Sequence, residues 1–455
     1  MTLRPRSRFG GDIRPKFSTM VAAGVALTMA VLLLAAVLLS RSAEPAGRTV
    51  VTVRLWDDQV AAAYRESLAE FSKLHPDIEV RVNVVAYANY FDTLRTDAAG
   101  GSADDIFWLS NAYLAGYADS GRLMDIGKLL GPKAAAGWEP SVVEQFTRNG
   151  VLWGVPQLTD AGIAVYYNAD LLKAAGIDPS RLNRLRWSPG DVDTLRPLLA
   201  RLTVDADGRR ADEPGFDAGR VRQWGYNAAN DLQAIYLNYI GSAGGRFSDG
   251  DRFAFDNPGA EAAFTYLVKL INEDHVAPPA SDTNGNGDFS RNQFLQGRMA
   301  LFQSGTYNLA AIAEQSRFRW GVAPMPIGPV GRVSVTNGIA AAGNSATKHP
   351  DAVREVLAWM GSARGNQYLG ARGAAVPAVL AAQRVYFDYW ARRGVDVRPF
   401  FTVLDGPRIP APGGAGFPAG FQALQPYFDE MFLGRADVAT TLAQAQAAAN
   451  AAAAR

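Results

Sequence analysis

Residues 151–176 read VLWGVPQLTDAGIAVYYNADLLKAAG, and this stretch decides the fold. A short apolar strand over 151–155 stops at Pro156. Gln157, Thr159 and Asp160 then make a polar crossing around Leu158. A second apolar run, 162–167, ends at Asn168, a residue suited to cap a helix over 169–175. Gly176 closes that helix. A chain that leaves one sheet and enters another through polar residues lines a cleft between two lobes.

The composition sets the outer limits. At 455 residues the chain exceeds one simple core, so more than one domain is expected. Hydrophobic residues make up 48% and charged residues 20%, the balance of a globular protein. A formal net charge of +1 gives no field for nucleic acid. There is no cysteine, which excludes disulfides, thiol catalysis and Cys-ligated metal. The three histidines, His75, His275 and His349, stand far apart in turn-like contexts. No catalytic cluster, metal site or cofactor is therefore expected.

The N-terminus has another character. Arg4, Arg6, Arg8, Arg14 and Lys16 precede an uncharged run, 17–40, whose apolar part is residues 20–39. That length suits a bilayer crossing and exceeds a usual signal core. The basic flank predicts a cytoplasmic tail (1–16), an anchor or signal segment (17–41), and a linker (42–48) leading to an extracytoplasmic body.

Beyond the linker, TVVTVRL (49–55) alternates as a strand. Residues 60–74 carry Tyr64, Leu68 and Phe71 at helical spacing. Ile78, Val80, Val82 and Val84 alternate again. Phe91, Leu94 and Ala98 mark a helix, and 106–109 is apolar without alternation. Strand and helix in turn predict a mainly parallel sheet, with ligands at the carboxyl ends of its strands. Trp56, Asp57 and Asp58 follow the first strand; Asn111 and Tyr113 follow the third. The middle, 169–296, reads as richer in helices, with a helix expected over 189–202 and another opening at Trp224. A strand is expected on either side of the Gly/Pro turn 328–331, over 320–326 and 333–342. The alanine-rich end, 438–454, has high helix propensity.

Four segments together resemble the bacterial extracellular solute-binding proteins of carbohydrate ABC importers. They are 101–126 (GSADDIFWLSNAYLAGYADSGRLMDI), 151–176, 294–309 (FLQGRMALFQSGTYNL), and 320–360 (from WGVAPMPIGP to VTNGIAAAGNSATKHPDAVREVLAWM). The resemblance implies an α/β, two-lobed, type II periplasmic-binding-protein-like fold with three inter-lobe crossings. It implies a binding protein rather than an enzyme. Its partners would be a mono- or oligosaccharide, an amino sugar among the options, and the subunits of an ABC permease. Residues 49–158 and 299–338 are expected in the first lobe, 159–298 and 339–455 in the second. Three positions depart from the family pattern. Tyr307 stands where tryptophan is commoner, Asp104 where proline usually precedes the aspartate, and the cysteine that carries a lipid anchor is absent. The last departure favours a membrane helix as the tether.

A saccharide presents hydroxyls at its rim and C–H groups on its faces, so its site needs polar side chains and aromatic platforms. The expected ligand-binding set is Trp56, Asp57, Asp58, Asn111, Tyr113, Asp160, Asn230, Asp231, Tyr307, Asn337 and Gly338. Capping is the competing role for Asp57, Asp58, Asn230 and Asp231, and core packing for Trp56 and Tyr307. Asp57/Asp58 and Asp104/Asp105 also raise the alternative of an extracellular carbohydrate-active hydrolase, although adjacent residues on extended chain point opposite ways. A membrane-tethered sensor or scaffold is a third reading. Residues 282–293 begin like a calcium loop but end in Gln293 where a bidentate glutamate is required, so a polar turn is expected there.

Overall fold

The computed structural model describes residues 47–454, Asp160 and Asp191 excepted. The basic tail and apolar segment lie outside the described residues. Among those described, no helix is long and apolar enough to cross a membrane.

The first lobe is built on five strands in the order Ile78–Val84, Thr49–Leu55, Ile106–Ser110, Gly338–Gly343, Val155–Thr159. Thr49–Leu55 is parallel to both of its neighbours, and Gly338–Gly343 is antiparallel to both of its own. Four strands therefore run the same way, and their carboxyl ends share one edge. Helix Asp58–Leu74 covers one face, burying Val60, Tyr64, Leu68 and Phe71 at helical spacing. Each such large apolar side chain contributes about 1.5–3 kcal/mol of transfer free energy. Ile106–Ser110 is buried along its whole length, which explains its lack of alternation.

The second lobe holds a smaller antiparallel sheet, Leu301–Ser304, Ala164–Asn168, Trp320–Pro324, with Ala164–Asn168 central. Helices Leu195–Leu202, Pro258–Asn272, Phe417–Phe432 and Val438–Ala453 pack into its core. The chain crosses first between Thr159 and Ala164, and again at Asn337, the one residue between strands Ser334–Thr336 and Gly338–Gly343. It crosses a third time after Ala382, which packs in the first lobe, and before Tyr386, which packs around Tyr166.

This pairing corrects two expected boundaries. Residues 301–304 and 320–324 belong to the second lobe, because they flank Ala164–Asn168. Residues 339–343 and the helices Pro350–Met360 and Ala363–Ala371 belong to the first, where Ile339–Ala342 line up against 106–110 and Leu357 and Leu369 share its core. The remainder of the C-terminal stretch, from Tyr386 on, packs with the second lobe. Smaller differences also follow from tertiary context. The 189–202 helix begins at Leu195, where Asp193 accepts from the amides of Leu195 and Arg196. The stretch at Trp224 is extended, and the helical turns start only at Leu232.

Candidate functional site

The shared carboxyl edge of the first sheet is also the edge from which Thr159 departs for the second lobe. Trp56 and Asp57, Tyr87, and Asn111 with Tyr113 follow the carboxyl ends of three strands on that edge. Across from it, Ser304 pairs with Ala164, so Gly305–Tyr307 emerge at the crossing end of the second sheet. Asn227 exchanges hydrogen bonds with Gln303, its Nδ2 donating to the carbonyl (2.9 Å) and its Oδ1 accepting from the amide (2.7 Å). These bonds hold the segment leading to Asn230 and Asp231 beside the same end.

Each expected residue except Asp160 has an identified place. Trp56 is half-buried, in edge contact with Tyr90 (4.8 Å between ring centroids), Trp108 (4.9 Å) and Tyr87 (5.6 Å). Tyr113 lies flat on Phe91 with centroids 3.5 Å apart. Asp57 caps helix Asp58–Leu74, accepting from the amides of Gln59 and Val60 at 2.9 Å. Asp58 is exposed in the first turn. Asn111 donates from Nδ2 to the carbonyl of Ala411, a second-lobe residue, at 3.5 Å. Asp160 lies outside the described residues.

In the second lobe, Asp231 accepts from the amide of Ala234 (2.8 Å) at the start of the turn Leu232–Tyr236. Asn230 donates to Asp429 (3.0 Å), while its Oδ1 is buried without a partner among the described residues. Tyr307 is 43% exposed. It lies in the short turn Thr306–Asn308 that follows second-lobe strand Leu301–Ser304 and not in a crossing, contrary to expectation, because that strand pairs with Ala164–Asn168.

At the second crossing, the Oδ1 of Asn337 is buried without a partner among the described residues. Gly338 has a structural reason of its own. A Cβ there would stand 2.6 Å from Val142, and its amide donates to Gln145 (2.8 Å). Its small size admits a neighbouring side chain, not a ligand.

Burial raises the pKa of Asp57 and of Asp231, in each case against the lowering pull of backbone N–H donors. Neither carboxylate is paired with a lysine or arginine among the described residues. Two carboxyl groups on opposite lobes thus lack a cationic partner among the described residues.

The other aspartate doublet has no such freedom. Asp104 pairs with buried Arg54 (2.5 Å) and accepts from Asn83, and Asp105 accepts from Thr52 and Thr347. Both precede strand Ile106–Ser110 and so sit at the amino edge, away from the cleft. Gln157, expected in the polar crossing, is fully buried. It accepts from the Tyr64 hydroxyl (2.7 Å) and donates to the carbonyl of Val155 (3.1 Å). Residues 282–293 form the end of one short helix, a turn, and most of helix Phe289–Leu295. Tyr87, absent from the expected set, is an exposed aromatic at the same edge. Its position directly after an alternating strand was the available signal.

Comparison with known proteins agrees with this architecture. The chain is 76% identical to M. tuberculosis UspC, of known crystal structure, covering 89% of this chain and 100% of that one with a TM-score of 0.72. A Listeria monocytogenes ABC substrate-binding protein in complex with cycloalternan, 18% identical, shares the fold over 89% of this chain and 98% of its own, with a TM-score of 0.75. An ABC transporter-binding protein of Deinococcus radiodurans is 28% identical over 53% of this chain, and the matched stretch spans 55% of that relative. Residues 57–367 match the bacterial extracellular solute-binding protein family, and the chain belongs to it.

Proposed function

We propose that this extracellular solute-binding protein captures a carbohydrate between its lobes and hands it to the permease of an ABC importer. The observation that carries this reading is the convergence of strand ends. Trp56, Asp57 and Asn111 on one lobe, Asn230 and Asp231 on the other, and Asn337 between them give a polar and aromatic cleft with unpaired acceptors. Asp160, in the first crossing, joins this set as a proposed contact. Such acceptors suit ligand hydroxyls, and two uncompensated carboxylates suit an amino sugar as well as a neutral one.

Lobe closure then excludes water, so a sugar lacking one matched hydroxyl leaves a buried partner unpaired at a cost of about 1–3 kcal/mol. Two lobes joined by three strands of chain permit hinge motion.

A binding protein needs no catalytic pair, and the membrane-tethered reading of residues 17–41 remains part of this proposal. A thermal-shift screen against neutral and amino sugars, read beside the release of new reducing ends, tests the reading. The expected result is a ligand-dependent rise in Tm without turnover, and turnover would move the protein to the hydrolases. Asp160→Ala should weaken sugar binding at least tenfold, about 1.4 kcal/mol, with little change in Tm. Unchanged affinity by calorimetry would remove Asp160 from the site.

A further inference from the structure

The lobes also touch outside the three crossings, along helix Asn111–Asp119 of the first lobe. At the start of that helix the second-lobe loop 411–416, APGGAG, packs on it. A Cβ on Gly413 would stand 3.2 Å from the Asn111 Nδ2 and 3.7 Å from the Ala112 Cα, so a missing side chain is what admits the helix. Ala112 packs against the second-lobe core, and the Asn111 Nδ2 donates to the Ala411 carbonyl at 3.5 Å.

At the other end of the helix, about 12 Å along its axis, the contact is ionic. Asp119 accepts from the Nε and one terminal nitrogen of Arg148, each at 2.7 Å, and Arg148 stands in the first-lobe hairpin 147–152. Its other terminal nitrogen faces Asp251 of the second lobe at 3.9 Å. Asp251 sits in the turn of hairpin 248–253, which Asn450 clamps to helix Val438–Ala453. The Asn450 Oδ1 accepts from the Phe253 amide (3.0 Å), and its Nδ2 donates to the Phe253 carbonyl (2.9 Å). A Cβ on Gly414 would stand 2.8 Å from the Asp251 carboxyl carbon, so the loop that meets Asn111 also backs this side chain. One arginine therefore lies between carboxylates of two lobes, and each carboxylate is fixed within its own lobe.

We infer that this seam is a self-inhibitory ionic latch: Asp119, Arg148 and Asp251 hold the lobes of the empty protein in the described arrangement, and ligand capture has to undo it. The direction of the effect rests on the reading above, in which the ligand binds at Asn111. In the described arrangement a second-lobe carbonyl takes the Asn111 amide, so seam and ligand compete for it. Exposed ion pairs are screened by salt. Ligand affinity should therefore rise with ionic strength, the reverse of what charge attraction between ligand and site would give.

The chain has no cysteine, so spin labels attach only at introduced ones: Lys128→Cys in the first lobe and Glu273→Cys in the second, both exposed. Dipolar electron resonance on the ligand-free full chain should give one interlobe distance in low salt. It should shift or broaden in about 1 M NaCl, where the screening length is about 3 Å, and in Asp251→Asn. Asp251→Lys, which sets like charges face to face, should shift it further. Distances that ignore both salt and substitution overturn the inference. Calorimetry with glucosamine and with maltose gives a second readout. In low salt Asp251→Asn should bind about two- to fivefold more tightly than the wild type, and the gain should vanish in high salt. Unchanged or weaker binding overturns the latch and leaves sugar binding intact. Binding of neither sugar counts against the carbohydrate reading alone, and the distance measurement then decides the latch by itself.

Discussion

Two polar clusters, one in each lobe, are built in opposite ways. In the first, buried Gln157 accepts from Tyr64, whose hydroxyl accepts in turn from Trp108, and Asn366 donates to the Gln157 carbonyl. That network is closed on itself and sits under the sheet, where it fixes the strand leading into the crossing. In the second lobe, the Asn230 Oδ1 and the Tyr236 hydroxyl are buried without a partner among the described residues, on either side of Asp231 in sequence, and Asp231 accepts from backbone N–H groups. A closed network makes a rigid platform, whereas an open one costs free energy until something donates to it.

The strongest challenge to that contrast is Trp108→Ala. Trp108 is fully buried, contacts Trp56 and Tyr64, and donates to the Tyr64 hydroxyl. A loss of about 3–5 kcal/mol is expected, with hydrogen exchange rising in 49–159 before 164–336. Uniform exchange across both lobes would show that the platform is not a separate unit.

Asp231→Asn sharpens the other half. The amide still caps the turn, but the charge is gone. Ligand affinity should fall about tenfold or more, 1.4 kcal/mol. The Tm of the unliganded protein should move the opposite way. Burial raises the folded-state pKa of Asp231 above the unfolded value of about 3.9. Stability from this group is therefore complete below the unfolded pKa and is lost as pH rises through the folded one. Near pH 7 the ionised side chain destabilises the empty protein, so the asparagine variant should melt higher there and gain nothing near pH 3. A lower Tm at pH 7 would mean that an unrecognised cation compensates the carboxylate.

The smallest effect is expected from Tyr236→Phe. It removes a buried hydroxyl without a partner and leaves the ring among Phe247, Phe264 and Phe428. Stability should stay level or rise by up to about 1 kcal/mol in urea titrations. A clear loss would show that this hydroxyl has a partner after all.

Local chemistry was the legible part of the sequence. The capping role considered for Asp57, the alternation of Ile78–Val84 and the double burial of Ile106–Ser110 all follow from neighbouring residues. So does the crossing after Thr159, because polar residues interrupt two apolar runs. Strand partners were not legible. Leu301–Ser304 and Gly338–Gly343 are short, fully buried runs, and an apolar run carries no mark of the sheet it joins. Both were therefore expected in the wrong lobe. The candidate site was legible as a set of residue types near strand ends. It was not legible that Gly338 answers to Val142 or that Tyr307 follows a strand of the second lobe, because both depend on contacts made far along the chain.

Asn337 alone separates a strand of one half from a strand of the other. Any swing of the halves must, along this path, twist about two backbone torsions flanked by paired segments. A proline at that position would lock one of those torsions near −65° and turn a pivot into a strut.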